Sequence, residues 1–319
     1  MKPRVTNVRA TVTAGSPAVS IVEVESTLPA SRHALDCRDP GTLRLLLWGL
    51  RLNMDPFERL LLDGIVRSVR LFQALPDCVE CRIRLELAGA GVDPHVQVEP
   101  GMPVVTRVVL SREPLRRLLR GRRITVDPAH GGRDVGARGP INLEERHVVL
   151  KIASRLVWHL REAGCEVSLT RQDDRDVDES QRLRAAVARR AEVLVSLHTA
   201  HDTGQDCRGI RTLVVPGAGG EPARAQALAE SVHAALLERL GLPDRGMGTS
   251  PVPAWALASG TPPHASLLHV WVEPVCIGNP LDEALLRSVV FRDRIAQAIR
   301  NGLARFYAAA GNGDAALAL

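Results

Sequence analysis

Apolar and polar residues alternate along the first third of this chain, and a different rhythm replaces the alternation further on. Arg4 to Thr13, Ala18 to Val24, Val66 to Phe72 and Val79 to Leu87 each follow the period of two expected of strands with one buried face. Between them lie the turn-forming clusters Ala14-Gly15-Ser16-Pro17, Pro29-Ala30-Ser31 and Asp39-Pro40-Gly41. The pattern predicts a small all-β, sandwich-like domain over residues 1–111.

From Ile124 the period changes. A short apolar strand over 124–127 leads into a helix over 143–164, where Val148, Val149, Ile152, Leu156 and Leu160 recur at helical spacing. Further strands are predicted at 166–170, 193–198, 209–215, 255–257 and 267–273, with helices at 179–190, 222–240 and 285–307. This alternation implies an α/β architecture: a doubly wound, mostly parallel sheet with helices on both faces.

Between the two regions, Arg112, Arg116, Arg117, Arg120, Arg122 and Arg123 interleave with Leu115, Leu118 and Leu119. One reading is a basic helix for a membrane surface or nucleic acid. The other, which we adopt, is a short interdomain helix that docks its leucines on a neighbour. The organisation expected is therefore a β-rich domain at 1–111, a basic linker at 112–122, an α/β domain at 123–310 and a frayed tail at 311–319.

With 319 residues, 45% of them hydrophobic, the chain can bury a sizeable core in two domains. Its formal charge is +5 and nearly all the positive charge is arginine, Lys2 and Lys151 being the only lysines. That balance suits an anionic polymer such as a cell wall. Nucleic acid ranks low, because aromatic residues make up only 3% and supply no stacking surface. Arginines scattered over a solvated face account for most of the charge.

Six cysteines form no evenly spaced framework, and Cys78-Val79-Glu80-Cys81 is half a metal site without a second half. Buried free thiols are the expectation. No transmembrane segment is expected. Met1 to Val5 lacks the apolar core of a secretory signal, so export would need an upstream segment.

His130, Glu145, His198 and Glu273 are the candidate chemistry. Each stands at the end of a predicted strand or the start of a predicted helix, where an open parallel sheet gathers its ligands. Two imidazoles and a carboxylate on one rim suit a three-ligand zinc site with an open fourth position, and a further carboxylate could act as base. Plainer readings exist for each. His130 could be a loop histidine beside the turn glycines Gly131 and Gly132. Glu145 or Glu144 could simply favour the positive end of a helix. His198 could belong to the core, and Glu273 needs either the rim or a charged partner.

The second half resembles the zinc-dependent N-acetylmuramoyl-L-alanine amidases of bacterial cell-wall hydrolysis. The resemblance covers about residues 122–309 and rests on separated motifs in order. They are Ile124 to Gly132, Glu145 to Leu150, Val167 to Arg171, Ser196-Leu197-His198, and Val272-Glu273 with Ile277-Gly278-Asn279-Pro280. The resemblance implies one zinc ion per catalytic domain, held by His130, Glu145 and His198, with Glu145 chosen over Glu144 because it directly precedes Arg146. It implies that Glu273 takes a proton from the attacking water and returns it to the departing amine. Peptidoglycan would be the substrate, other anionic wall polymers possible partners, and the location extracytoplasmic.

Less specifically, Val5 to Arg9, Asp63 to Arg70 and Cys81 to Leu87 resemble the AMIN-like targeting domain that precedes such enzymes. A plain structural β domain is the alternative. Four positions depart from the family pattern: Ala129, Thr199-Ala200, Arg211 and Pro274-Val275-Cys276. Arg211, where a glutamate is frequent, reads as a surface arginine, with engagement of a peptide carboxylate as the alternative. The departures motivate one rival, a non-catalytic wall-binding protein; a zinc peptidase acting on stem peptides is another, which shares the metal chemistry but not the motif order. Thr199 to Arg208 is too short for the plugging insertion of some relatives, so an active enzyme would be open without an activator.

Overall fold

The computed structural model describes residues 3–13, 19–86, 92–200, 207–215, 221–250 and 267–316, the last six by backbone alone. The turn expected at 14–17, the strand expected at 255–257, His201 and His264 lie outside the described residues. The chain forms two compact units, residues 1–117 and 118–319.

The first unit is built from strands β1 (Arg4–Val12), β2 (Val19–Ser26), β3 (Arg32–Asp39), β4 (Thr42–Trp48), β5 (Arg51–Leu52), β6 (Phe57–Leu60), β7 (Val66–Leu75), β8 (Cys78–Leu85), β9 (Pro94–Glu99) and β10 (Val104–Ser111). They form two five-stranded sheets, ordered β5-β1-β2-β10-β9 and β3-β4-β8-β7-β6. Burial alternates residue by residue along β2, β4 and β10, as the sequence alternation requires of strands with one core face. Strand β3 escapes the pattern because its residues are half-exposed or exposed and its sequence is correspondingly polar.

Helix α1 (Glu113–Leu119) buries Leu115 and Leu119. Beyond it lie β11 (Arg123–Pro128), α2 (Glu145–Glu162), β12 (Glu166–Leu169), α3 (Glu179–Ala188), β13 (Val193–Leu197), β14 (Ile210–Val214), α4 (Pro222–Leu240), β15 (Asp244–Thr249), β16 (Leu268–Glu273), α5 (Pro280–Arg287) and α6 (Val289–Ala316). The sheet order is β12-β11-β13-β16-β14-β15. The first four strands are mutually parallel; β14 runs antiparallel to β16 and carries β15 with it. The α/β class and mostly parallel sheet are as expected.

Two differences have local causes. The closing helix is two helices, because Asn279 caps α5 through Leu281 and Asp282 amides, Pro280 takes the first helical turn, and Ser288 is extended. Its second part continues to Ala316, past the expected end at 307. Strand β15 went unforeseen because Asp244-Arg245-Gly246-Met247-Gly248-Thr249 offers no apolar alternation.

The core positions the rim. Helix α3 groups Leu183, Ala186 and Val187 with Leu194 of β13, on the face that also carries Ser196. Register then fixes the strand ends: Pro128 pairs with Leu197, and Leu197 with Val272. His130, His198 and Glu273 consequently emerge from three adjacent strands at one edge of the sheet.

Candidate metal centre

The exit from β11 is tightly constrained. His130, Gly131 and Gly132 all have positive φ, at 59°, 128° and 60°. A side chain at Gly131 would come within 2.4 Å of the Arg175 carbonyl oxygen, so glycine is required there. The strained His130 backbone is held by two buried arginines. Arg171 donates to the Pro128, Ala129 and Arg146 carbonyls, and Arg182 donates to those of Pro128 and His130. Arg182 also pairs with buried Asp127 at 2.7 Å. Burial disfavours that carboxylate, but the Arg182 charge together with hydrogen bonds from Thr170 and Arg182 outweighs it and keeps Asp127 below its usual range.

Three sequence-nominated side chains come together. One donor atom each from His130, Glu145 and His198 lies within 4.8 Å of the other two. His130 Nε2 is 3.2 Å from Glu145 Oε2, and His198 Nδ1 is 3.4 Å from Glu145 Oε1. The Asp134 carboxylate sits 2.8 Å from His130 Nδ1, which leaves Nε2 directed inward. Glu145 opens α2, and its oxygens also accept from the Ala137 and Thr199 amides. Glu144 does not join; it pairs with Arg138 and Arg146.

The electrostatics fit a cation site. Burial would raise Glu145, but hydrogen bonds and charge from the two histidines overcome it and hold the carboxyl far below its usual range. Burial likewise opposes protonation of His130, yet Glu145 and Asp134 push it up to about 9. A buried carboxylate between two imidazoles thus draws positive charge to itself, and neutral imidazoles with a carboxylate are donors suited to zinc. The buried Thr199 hydroxyl beside this cluster has no hydrogen-bond partner among the described residues.

Glu273 is one strand from His198 and is buried. It has the charged partner that such a position demands, and that partner is Arg211. Arg211 stands directly opposite it on β14 and donates from Nε to Oε2 at 2.7 Å and from Nη2 to Oε1 at 3.1 Å. The expectation of a surface arginine is therefore corrected: in an antiparallel pair, opposed residues share a face, and the direction of β14 could not be read from its sequence. Arg245 is also near, 3.8 Å from Oε2. Trp271, which sequence reading missed, donates from Nε1 to Oε1 at 3.2 Å and stacks on the His198 ring with centroids 3.5 Å apart.

The cysteines need a second correction. Cys207 and Cys276 form a disulfide, joining the segments that follow His198 and Glu273, while Cys78, Cys81 and Cys165 are buried free thiols and Cys37 is exposed. Even spacing was an insufficient guide, because 69 residues separate two positions that the sheet makes neighbours. His269 and His147 lie elsewhere: His269 bonds to Ser196 in the core, and His147 faces Glu144 and Asp174. Asp134 and Arg182 were also missed. Their signals were an acid four residues beyond the first histidine, and an arginine four residues before buried Ala186.

A sheet rim carrying two histidines and a glutamate within coordination reach, with a further buried glutamate on the next strand, is a candidate metal site in an α/β fold. Residues 124–305 match the family model described as N-acetylmuramoyl-L-alanine amidase, and the chain belongs to that family. It is 29% identical over 205 residues to N-acetylmuramoyl-L-alanine amidase LytC of Bacillus subtilis, covering 64% of this chain and 39% of that protein. It is 31% identical over 225 residues to AmiC of Neisseria meningitidis, covering 58% of this chain and 53% of that protein. The chain thus spans about half or less of the length of these relatives. Among solved structures it is similar to the amidase AmiC2 of Nostoc punctiforme, with 27% identity and a TM-score of 0.50 over 58% of this chain and 96% of that one.

Proposed function

We propose that this protein is a zinc-dependent hydrolase that cuts the amide between the N-acetylmuramic acid lactyl group and L-alanine of peptidoglycan. The observation that carries this reading is the convergence of His130, Glu145 and His198 within 4.8 Å, in a chain of the amidase family. These three would hold the ion. When bound, zinc supplies Lewis-acid chemistry: it polarises a carbonyl and makes water a stronger acid.

The remaining work falls to the chain. Glu273 acts as general base toward the attacking water and then as general acid toward the leaving amine. Each of its oxygens accepts a hydrogen bond from Arg211, and that pairing favours the ionised form and makes Glu273 a weaker base while it lasts. Asp134 and Glu145 fix the imidazoles, and Arg171 and Arg182 anchor the turn that carries His130.

The first unit serves, in this reading, as the wall-targeting module. Its support is a groove of about 640 Å³ lined by Arg38, Arg44, Arg70, Arg82 and Arg84 among acidic neighbours, a surface suited to a polymer with both charged and hydroxylated groups. An extracytoplasmic location follows, and the Cys207–Cys276 disulfide favours an oxidising compartment. No helix among the described residues is long and apolar enough to cross a membrane.

One observation favours a second reading: Arg211 occupies the carboxylate that would serve as base, as a wall-binding protein without turnover could tolerate. Digestion of purified sacculi by the metal-loaded protein separates the two. Release of intact stem peptides with new L-alanine amino termini is expected. Wall binding without release would refute the hydrolase, and cuts inside the stem would point to a peptidase.

A further inference from the structure

We infer that Arg211 is a specificity and positioning residue: it takes up a carboxylate on the second residue of the stem peptide and, in doing so, releases Glu273. The inference rests on the amidase reading above and adds to it the substrate charge that the site demands.

Placement comes first. Along the rim the order is His130 after β11, His198 after β13, Glu273 at the end of β16 and Arg211 opposite it on β14. Neighbouring strands lie about 4.8 Å apart, so β14 is roughly 10 Å from the strand that carries His198. A peptide extends at most about 3.6 Å per residue, which puts the α-carboxylate of the second stem residue roughly 7 Å from the scissile carbonyl carbon. A stem leaving the metal centre past Glu273 comes within reach of Arg211, whose guanidinium extends from β14 back to the Glu273 carboxylate on β16.

Exposure gives the direction of approach. The Arg211 side chain keeps 37% of its surface accessible while Glu273 keeps 6%, so the guanidinium lies on the solvent side of the carboxylate it holds. A substrate reaching Glu273 therefore meets Arg211 on the way.

Chemistry supplies the exchange. Planar guanidinium groups bind carboxylates through paired hydrogen bonds and bind neutral amides far less well. A substrate carboxylate can replace Glu273 as the partner of Arg211, whereas a carboxamide at the same place cannot. Trp271 also donates to Glu273 Oε1, and Arg245 stands 3.8 Å from Oε2, so the carboxylate stays oriented when Arg211 departs and Oε2 loses its hydrogen bond. No covalent step is involved; one ion pair is exchanged for another.

The test compares two soluble muropeptides that differ only in a free or an amidated α-carboxyl on the second stem residue. Steady-state kcat and KM and calorimetric binding are measured for the zinc-loaded protein and for Arg211→Gln. The wild type is expected to favour the carboxylate form about tenfold or more in kcat/KM and in binding. In Arg211→Gln the ratio falls to near one, and Arg211→Lys restores part of it. An equal preference in wild type and Arg211→Gln overturns the proposal, as does a wild type without preference, even if the variant fails to fold. Cleavage of neither peptide would refute the amidase reading alone: a carboxylate preference in binding, lost in Arg211→Gln, still supports the role of Arg211, and equal binding overturns it.

Discussion

At Gly136 an added Cβ would lie 2.5 Å from His130 Cδ2 and 2.8 Å from Glu145 Oε2, on a backbone with φ +66°. No ordinary contact is that short, so Gly136→Ala must push apart two of the three donors. We expect the variant to fold but to bind zinc at least tenfold more weakly, a cost of about 1.4 kcal/mol, measured by competition with a chromophoric chelator. Unchanged affinity would show that the donors need no such close packing. Glu273 gives the converse case. Glu273→Ala should retain stoichiometric zinc by elemental analysis while stem release from sacculi falls by roughly 10²–10⁴. Full turnover in that variant would remove Glu273 from the chemistry. The four nominated residues were legible because each belongs to a short contiguous motif with its own strand or helix signal. Arg211 and Trp271 were not legible as partners of Glu273. Their roles depend on which strands are adjacent and in which direction β14 runs, and neither property is written in a single segment.

Elements, rather than single side chains, hold the loops in place. Helix α5 buries Asp282 and Glu283 completely. Glu283 accepts from the Ile141 and Leu143 amides in the loop that leads into α2, and Asp282 accepts from the Gly209 and Cys276 amides. The closing helix expected from the sequence begins only at 285, so Asp282 and Glu283 went unassigned and their function as a clasp was not foreseen. Strand β16 carries a titrating element of its own. His269 donates to or accepts from Ser196, and burial pulls it down to about 4. Between that value and the unfolded value of about 6.5, the unfolded chain binds the extra proton. Its contribution to stability is therefore fully present above pH 6.5 and is lost as pH falls toward 4. The loss amounts to roughly 3 kcal/mol at most. Urea unfolding at pH 4.5, 5.5 and 7 should show this slope for the wild type and a flatter one for His269→Gln, which keeps a partner for Ser196. An identical slope in both would mean that other groups govern the acid limb.

On the scale of the molecule, the ligands of the proposed ion come from β11, α2 and β13, three segments spread over residues 130–198 of the second unit. The disulfide adds a covalent tie on the same rim, closing a loop of 69 residues. Such a closure is worth about 4 kcal/mol in a chain-entropy account. An ion that binds only the folded form stabilises it by mass action, by about 2.7 kcal/mol at a hundred times its dissociation constant. That free energy belongs to the unit that contains the donors. The test is hydrogen exchange followed peptide by peptide, in the whole chain, with zinc and with chelator. Protection should rise on zinc binding for peptides from β11, β13, β16 and the start of α2, and stay unchanged for β2, β4, β8 and β10 of the first unit. A uniform rise across both units would mean that the ion couples them. A rise confined to the first unit, or none at all, would place the metal away from His130, Glu145 and His198.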